Sequence, residues 1–391
     1  MKEERLLSSF CVHLLLAGRE AMTNLLLELK QLGQSVWLDY IRRDLITSGE
    51  LKKLIDEDGL AGVTSNPAIF EKAITSSDAY DAIEQRMRGS SAQDIFEAIA
   101  FEDVQLAADV FKSVYAQTNG GDGYVSIEVP ASLAYKTDET IHAAKRYWEA
   151  VNRPNIMVKI PATKAGLPAI TEALAQGINI NITLIFSVAR YLEVADAYLC
   201  GLERRAQQGL PINHIASVAS FFVSRVDTLV DKLLDKKLSE TGDAVKQAEL
   251  RSLMGQAAIA NSKLAYREYQ RIFDSERFAQ LRALGARPQR VLWASTSTKN
   301  PKYPDTYYVD ELIGAETVNT LPPDTLKLFR AHGKVRPSLT ADVDDAAETL
   351  NCLAAVGIDF AAVAQQLEDE GVKLFDDAYN KLLKAIEAKQ Q

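Results

Sequence analysis

From residue 35 to about residue 320, short runs of aliphatic and β-branched residues alternate with longer stretches of helical periodicity. The runs that predict strands are Ser35–Tyr40, Leu60–Ser65, Tyr124–Val129, Asn155–Ile160, Ile178–Phe186, Ile215–Phe222, Arg290–Ser295 and Glu316–Leu321. The stretches between them carry end signals. Thr137, followed by Asp138 and Glu139, suits an N-cap; Ser187 starts a helix that runs to Gly209; Gly177 stops the helix before it. Strand–helix alternation implies parallel strands joined by crossover helices, and about eight such units predict closure into an α/β fold of the (β/α)8 barrel type. An open doubly wound sheet reads the same way locally. The Gly-rich turn such sheets use for dinucleotides follows a strand, however, whereas Gly120-Gly121-Asp122-Gly123 precedes one and reads as a loop. Asp243–Phe273 and the C-terminal Asp342–Lys389 region read as additional helices decorating the barrel.

Polar residues inside the strands carry the chemical signal. Side chains alternate along a strand, so one parity faces the lumen and the other faces the helices. In Asn155–Pro161 the aliphatic residues 156, 158 and 160 suit the helix layer, which sends Lys159 inward. Val125, Ile127 and Val129 likewise leave Ser126 and Glu128 inside. Ile178, Ile180, Ile182, Leu184 and Phe186 go outward and leave Asn179, Asn181 and Thr183 inside. Asp39 ends a strand whose outer face is Val36 and Leu38, and Asn66 shares parity with Thr64. Polar groups therefore gather near the C-terminal ends of successive strands, where barrels build active sites.

Burial of a lysine raises the cost of its charge and leaves more neutral amine, a nucleophile toward ketones. The plainer reading of Lys159 is an ion pair with Glu128 on the neighbouring strand. Asp39 alone reads equally as a loop carboxylate, Asn66 before Pro67 as an Asx turn, and Asn181 and Thr183 as partners of nearby backbone. Their convergence on one lumen favours chemistry.

Composition narrows the classes further. The 391 residues are 47% hydrophobic and 25% charged, with a formal net charge of −9. That balance argues against nucleic acid as a main partner. Cys11, Cys200 and Cys352 lie far apart without metal-ligand spacing, and the four histidines are isolated, so the expectation is a reducing cytoplasm and no metal. No run approaches ~20 consecutive apolar residues, so no membrane span is expected. Leu6 to Gly18 is apolar, but Glu3 and Glu4 spoil a basic leader, and Met22 precedes the sequence that reads as the domain proper. The expectation is a dispensable extension over residues 1–21 and a single barrel domain over 22–391.

At these residues the chain resembles the transaldolases, over most of residues 22 to 390. The resemblance rests on Val36-Trp37-Leu38-Asp39, Gly62-Val63-Thr64-Ser65-Asn66-Pro67, Val158-Lys159-Ile160-Pro161-Ala162-Thr163 and the run Ile178–Ser187, in that order and spacing. It implies a TIM barrel without a cofactor, acting on sugar phosphates of the pentose phosphate pathway. It implies Lys159 as the Schiff-base lysine and Glu128 with Thr183 as the pair that holds a catalytic water. Asp39 becomes the acid/base at carbon–carbon cleavage. Asn66 and Asn181 become ligands of the dihydroxyacetone hydroxyls, with Ser220 beside them, and Arg225 becomes the phosphate ligand. After the seventh strand the family commonly shows Ser-x-Arg; here Ala294-Ser295-Thr296-Ser297-Thr298-Lys299 lacks the arginine. Ser295 keeps its implied role and Lys299 supplies the charge from a longer loop, as a point charge without a guanidinium's fork. A pairing of Arg225 with Asp227 or another helix acid is the plainer alternative. Two other functions stay open: a lysine aldolase that releases free dihydroxyacetone, and a sugar-phosphate-binding barrel without turnover. The sequence gives no oligomeric state and leaves room for a homo-oligomer.

Overall fold

A computed structural model describes residues 24–390; the proposed extension at residues 1–21 lies outside them. Eight parallel strands close a barrel in sequence order: β1 (Gln34–Asp39), β2 (Gly62–Thr64), β3 (Tyr124–Glu128), β4 (Ile156–Pro161), β5 (Ile180–Ile185), β6 (Ser217–Phe222), β7 (Arg290–Ala294) and β8 (Thr317–Leu321). Closure comes from β1 pairing β8, with Trp37 opposite Thr320. The open-sheet alternative is thereby excluded.

The alternation in β4 holds. Ile156, Val158 and Ile160 are fully buried, and each such side chain contributes roughly 1.5–3 kcal/mol on leaving water. In the neighbouring register Glu128 lies opposite Lys159, and Lys159 opposite Asn181. Residues in register share a face, so the three lie at one level of the lumen.

Strand β5 departs from strict alternation. Its register against β6 shifts between Ile182 and Ile185, and Leu184 takes a left-handed φ of 62°. This bulge bends the strand and re-aims the side chain. Leu184 therefore leaves the outward row expected of it and lies against Gly371 of the C-terminal helix, where a Cβ would stand 2.9 Å from Leu184 Cδ2.

The end signals hold with one correction. Ser187 caps the helix Val188–Gln207, and Gly209 follows it. Gly177 lies just past the helix Gly166–Ala175. Thr137 is not an N-cap: it is the first residue of the helix Thr137–Val151, and its hydroxyl donates to the Ala165 carbonyl at 2.7 Å. A tertiary acceptor has replaced the local one. The glycine cluster is a loop at the N-terminal end of the barrel. There Asp122 accepts from Arg290 at 2.8 Å and from Trp37 at 3.1 Å. Gly123, at φ 88°, has no space for a side chain, because a Cβ would stand 2.5 Å from the Tyr115 nitrogen.

The two extra helical regions are each broken. Asp243–Phe273 comprises Ala244–Ser252, capped by Asp243, and Ala257–Phe273. The C-terminal region comprises Val343–Ala355 and Phe360–Gln390, which meet at a 92° bend. The last helix is more than decoration. It packs on β5 and on the helices Pro67–Thr75 and Ala92–Val110, and it reaches the mouth of the barrel.

Candidate active site

The inward residues enclose a cavity of about 230 Å³ at the C-terminal end of the barrel, lined by Asp39, Lys159, Thr183, Ser220, Arg225 and Lys299 among others. Lys159 is buried. Its Nζ lies 3.3 Å from Glu128 Oε2 and donates to the Ser65 carbonyl at 3.3 Å. The ion pair expected as the plainer reading is thus present, and it sits inside the cavity rather than among the helices.

Glu128 is buried beside it, and burial pushes its carboxyl up to about 7 against the pull of the Lys159 charge. A carboxyl near neutrality both takes and gives a proton at physiological pH. Among the described residues its Oε1 has no partner, and neither has the buried Thr183 Oγ1. Buried polar atoms are normally satisfied, so both retain capacity for a water molecule or a substrate hydroxyl.

Asp39 accepts from the Thr64 hydroxyl at 2.8 Å, and Thr64 meets Thr320 at 2.7 Å. Although partly open to the cavity, Asp39 is walled in, and desolvation raises its carboxyl above the usual range. Lys159, the Thr64 hydrogen bond, Arg225 and Lys299 oppose that rise in turn. Asn181 is held from both sides: its Nδ2 donates to Ser126 Oγ at 3.0 Å, and its Oδ1 accepts from Ser220 at 2.7 Å. Asn66 caps the helix Pro67–Thr75 by accepting from the Ile69 N–H at 3.1 Å. The local turn role is real, and the same residue lines the cavity.

Two cations stand at the outer wall. Arg225 follows Ser224, the first residue of the helix Ser224–Glu240. Its guanidinium lies 5.3 Å from the Phe222 ring and 6.0 Å from that of Phe375. The alternative pairing with Asp227 does not form. Asp227 instead accepts from the Ala258 N–H at 2.7 Å and from the Tyr308 hydroxyl at 2.9 Å. Ser295, at a left-handed φ of 57°, shares a 3.0 Å contact with Ser224 Oγ. Lys299 donates to Ser297 at 2.6 Å, and although its side chain is exposed, desolvation and the nearby Arg225 lower its ammonium, with Asp39 opposing. The loop that carries Lys299 is tied to the Arg225 helix, since the Tyr303 hydroxyl donates to Asp231 at 2.7 Å.

Eight of the ten residues singled out in the sequence line this one cavity, and Glu128 and Asn181 stand behind it against Lys159 and Ser220. The structure adds Thr64 and Ser126 as the groups that orient Asp39 and Asn181, and their inward parity was the signal for them. It also adds Phe375, whose ring centroid lies 5.5 Å from Lys159 Nζ. Helical periodicity marks Phe375 only as one apolar position among many.

Residues 36–386 match the family model described as Transaldolase/Fructose-6-phosphate aldolase. The chain is 48% identical over 372 residues to "Transaldolase" of Trichodesmium erythraeum, covering 94% of this chain and 98% of that protein. It is 47% identical over 372 residues to "Transaldolase 2" of Nostoc punctiforme, covering 94% and 98%. It is 46% identical over 360 residues to "Transaldolase" of Mycobacterium tuberculosis, covering 91% and 94%.

Proposed function

The chain belongs to the transaldolase/fructose-6-phosphate aldolase family, and from that premise we propose that it moves a dihydroxyacetone unit from sedoheptulose 7-phosphate to glyceraldehyde 3-phosphate, giving erythrose 4-phosphate and fructose 6-phosphate. One observation carries the residue-level reading. A buried amine stands 3.3 Å from a carboxyl that burial pushes up to about 7, with Asp39 on the same cavity wall.

In this reading the Lys159 amine adds to the donor's keto carbon, and loss of water leaves an iminium. Glu128 and Thr183 hold the water that moves protons during both steps. Asp39 takes the proton from the donor hydroxyl as the carbon–carbon bond breaks, and the electron pair passes into the iminium as an enamine. The first aldehyde leaves, the acceptor aldehyde is attacked by that enamine, and Asp39 returns the proton to its oxygen; water then adds to the product iminium, and the carbon–nitrogen bond breaks to free the ketose and the Lys159 amine. Asn66, Asn181 and Ser220 hold the hydroxyls of the three-carbon unit. Arg225 binds phosphate, with Ser295 and Lys299 supporting it.

A binding protein without turnover fits poorly, because inward Lys159, Glu128 and Asp39 cost desolvation energy that binding alone does not require. Borohydride added with fructose 6-phosphate is expected to fix a covalent adduct on the wild-type chain and none on Lys159→Ala. Absence of an adduct on the wild type ends the reading. We take residues 22–391 as the working unit, so a chain beginning at Met22 is expected to turn over at the full chain's rate. No single helix among the described residues is long and apolar enough to cross a membrane. Cys200 and Cys352 are free thiols, in keeping with the cytoplasm we propose as the compartment.

A further inference from the structure

We propose that Phe375, carried in by the C-terminal helix, decides whether the three-carbon intermediate is transferred to an aldehyde or lost to water. The inference rests on the Schiff-base reading above and adds a residue from outside the barrel to it.

Phe375 is 7% exposed and lines the same cavity as Lys159, Thr183 and Arg225. The ring lies over the amine at 5.5 Å and beside the Arg225 guanidinium at 6.0 Å. Its reach depends on how low the helix rides. One turn earlier, Gly371 lets the helix settle on Leu184, the residue that the β5 bulge turns toward it; any side chain there would stand 2.9 Å from Leu184 Cδ2. The helix is fixed along its length by other contacts. Glu368 meets Arg190 at 3.2 Å, Tyr379 packs edge-on to Phe96, and Lys381 meets Glu71 at 2.8 Å.

That placement has two consequences for chemistry at Lys159. An aromatic face within about 6 Å of a cation stabilises it, and the iminium keeps a positive charge where the ammonium had one. The ring also fills part of the cavity beside Lys159 that water would otherwise occupy, and so limits solvent around a bound intermediate. Two fates compete after cleavage. In transfer, the enamine carbon bonds to the acceptor's aldehyde carbon, whose oxygen takes a proton, and water then adds to the product iminium and the carbon–nitrogen bond breaks to release the ketose. In hydrolysis, the enamine carbon takes a proton, water adds to the iminium carbon, and the carbon–nitrogen bond breaks to give dihydroxyacetone and the free amine. Both fates therefore end with water adding to an iminium; hydrolysis alone needs a proton delivered to the enamine carbon before the aldehyde arrives, and it is solvent access to that carbon that Phe375 limits.

The test uses the full chain with fructose 6-phosphate and erythrose 4-phosphate, and measures free dihydroxyacetone against sedoheptulose 7-phosphate formed. Phe375→Ala leaves the anchors at Glu368, Tyr379 and Lys381 in place, and is expected to raise the ratio of hydrolysis to transfer ~10-fold by admitting water. Phe375→Leu, which keeps part of the apolar bulk, is expected to raise it ~3-fold on the same ground, and it decides the matter if the alanine variant does not fold. A residue that only supported the helix would lower both products together and leave the ratio unchanged. An unchanged ratio in a folded variant overturns the inference, provided borohydride still traps the wild-type adduct. Failure of that trap instead removes the Schiff-base reading itself, so the two failures are distinct.

Discussion

Replacing Asp39 by asparagine isolates one proton transfer from the rest of the mechanism. The side chains have the same shape, and an asparagine Oδ1 can still accept the 2.8 Å hydrogen bond from Thr64. What disappears is the basic carboxylate and its charge. A positioned general base contributes ~10²–10⁴-fold in rate, or about 2.7–5.5 kcal/mol of barrier. Lys159, Glu128 and Thr183 are untouched, so imine formation should proceed. The expected result is a borohydride adduct at wild-type stoichiometry with kcat lowered ~100-fold or more. The pH profile adds a second check. Burial raises the Asp39 carboxyl, so its contribution to the acid limb vanishes in the variant. A limb near neutrality survives, because Glu128 is pushed up to about 7. Turnover within ~3-fold of wild type would remove Asp39 from bond cleavage, since no general base is worth so little. Loss of the adduct in a folded variant would instead move Asp39 to the imine step.

Three further predictions address the outer wall and the scaffold behind it. Arg225→Ala is expected to raise KM for phosphorylated donors ~10–100-fold, the value of charge-assisted hydrogen bonds at about 1.5–3 kcal/mol. Lys299→Ala should cost only ~5-fold, as an exposed point charge does. Initial rates across donor concentration separate the two, and an unchanged KM in Lys299→Ala returns that residue to solvent. Asp227 tests the scaffold through pH. Burial pushes its carboxyl from 3.8 up to about 7, so the fold favours the neutral form. This contribution to stability is full below pH 3.8 and is lost as pH rises through about 7. The Tm advantage of Asp227→Asn over wild type should therefore widen from pH 4 to pH 8, and a constant difference would contradict the assignment.

The residues that the pattern resolved best were those where parity and chemistry conflict. Lys159 stands between Val158 and Ile160 in a strand buried on both faces, so the pattern of its neighbours alone turns the lysine inward. The same holds for Glu128, Asn181 and Asp39. Strict alternation failed at Leu184, because a bulge inserts a residue without changing the local composition. The N-cap reading failed at Thr137 because the hydroxyl found an acceptor, Ala165, that lies far along the chain. The choice between Asp227 and the cavity for Arg225 could not be read either. It turned on Tyr308 and the Ala258 N–H, which reach Asp227 from other elements.

The sequence by itself determined the eight strands, the side of each that faces the lumen, and the convergence of an amine with carboxyls at one end. Alternation of period 2 is a local property, and burial of aliphatic side chains enforces it strand by strand. The register in which β1 closes on β8, the tie between Tyr303 and Asp231, and the ring of Phe375 beside Lys159 belong to the tertiary structure alone. Each joins segments whose separation along the chain leaves no periodic trace, because which helix lies over which strand is settled by packing between elements rather than within them.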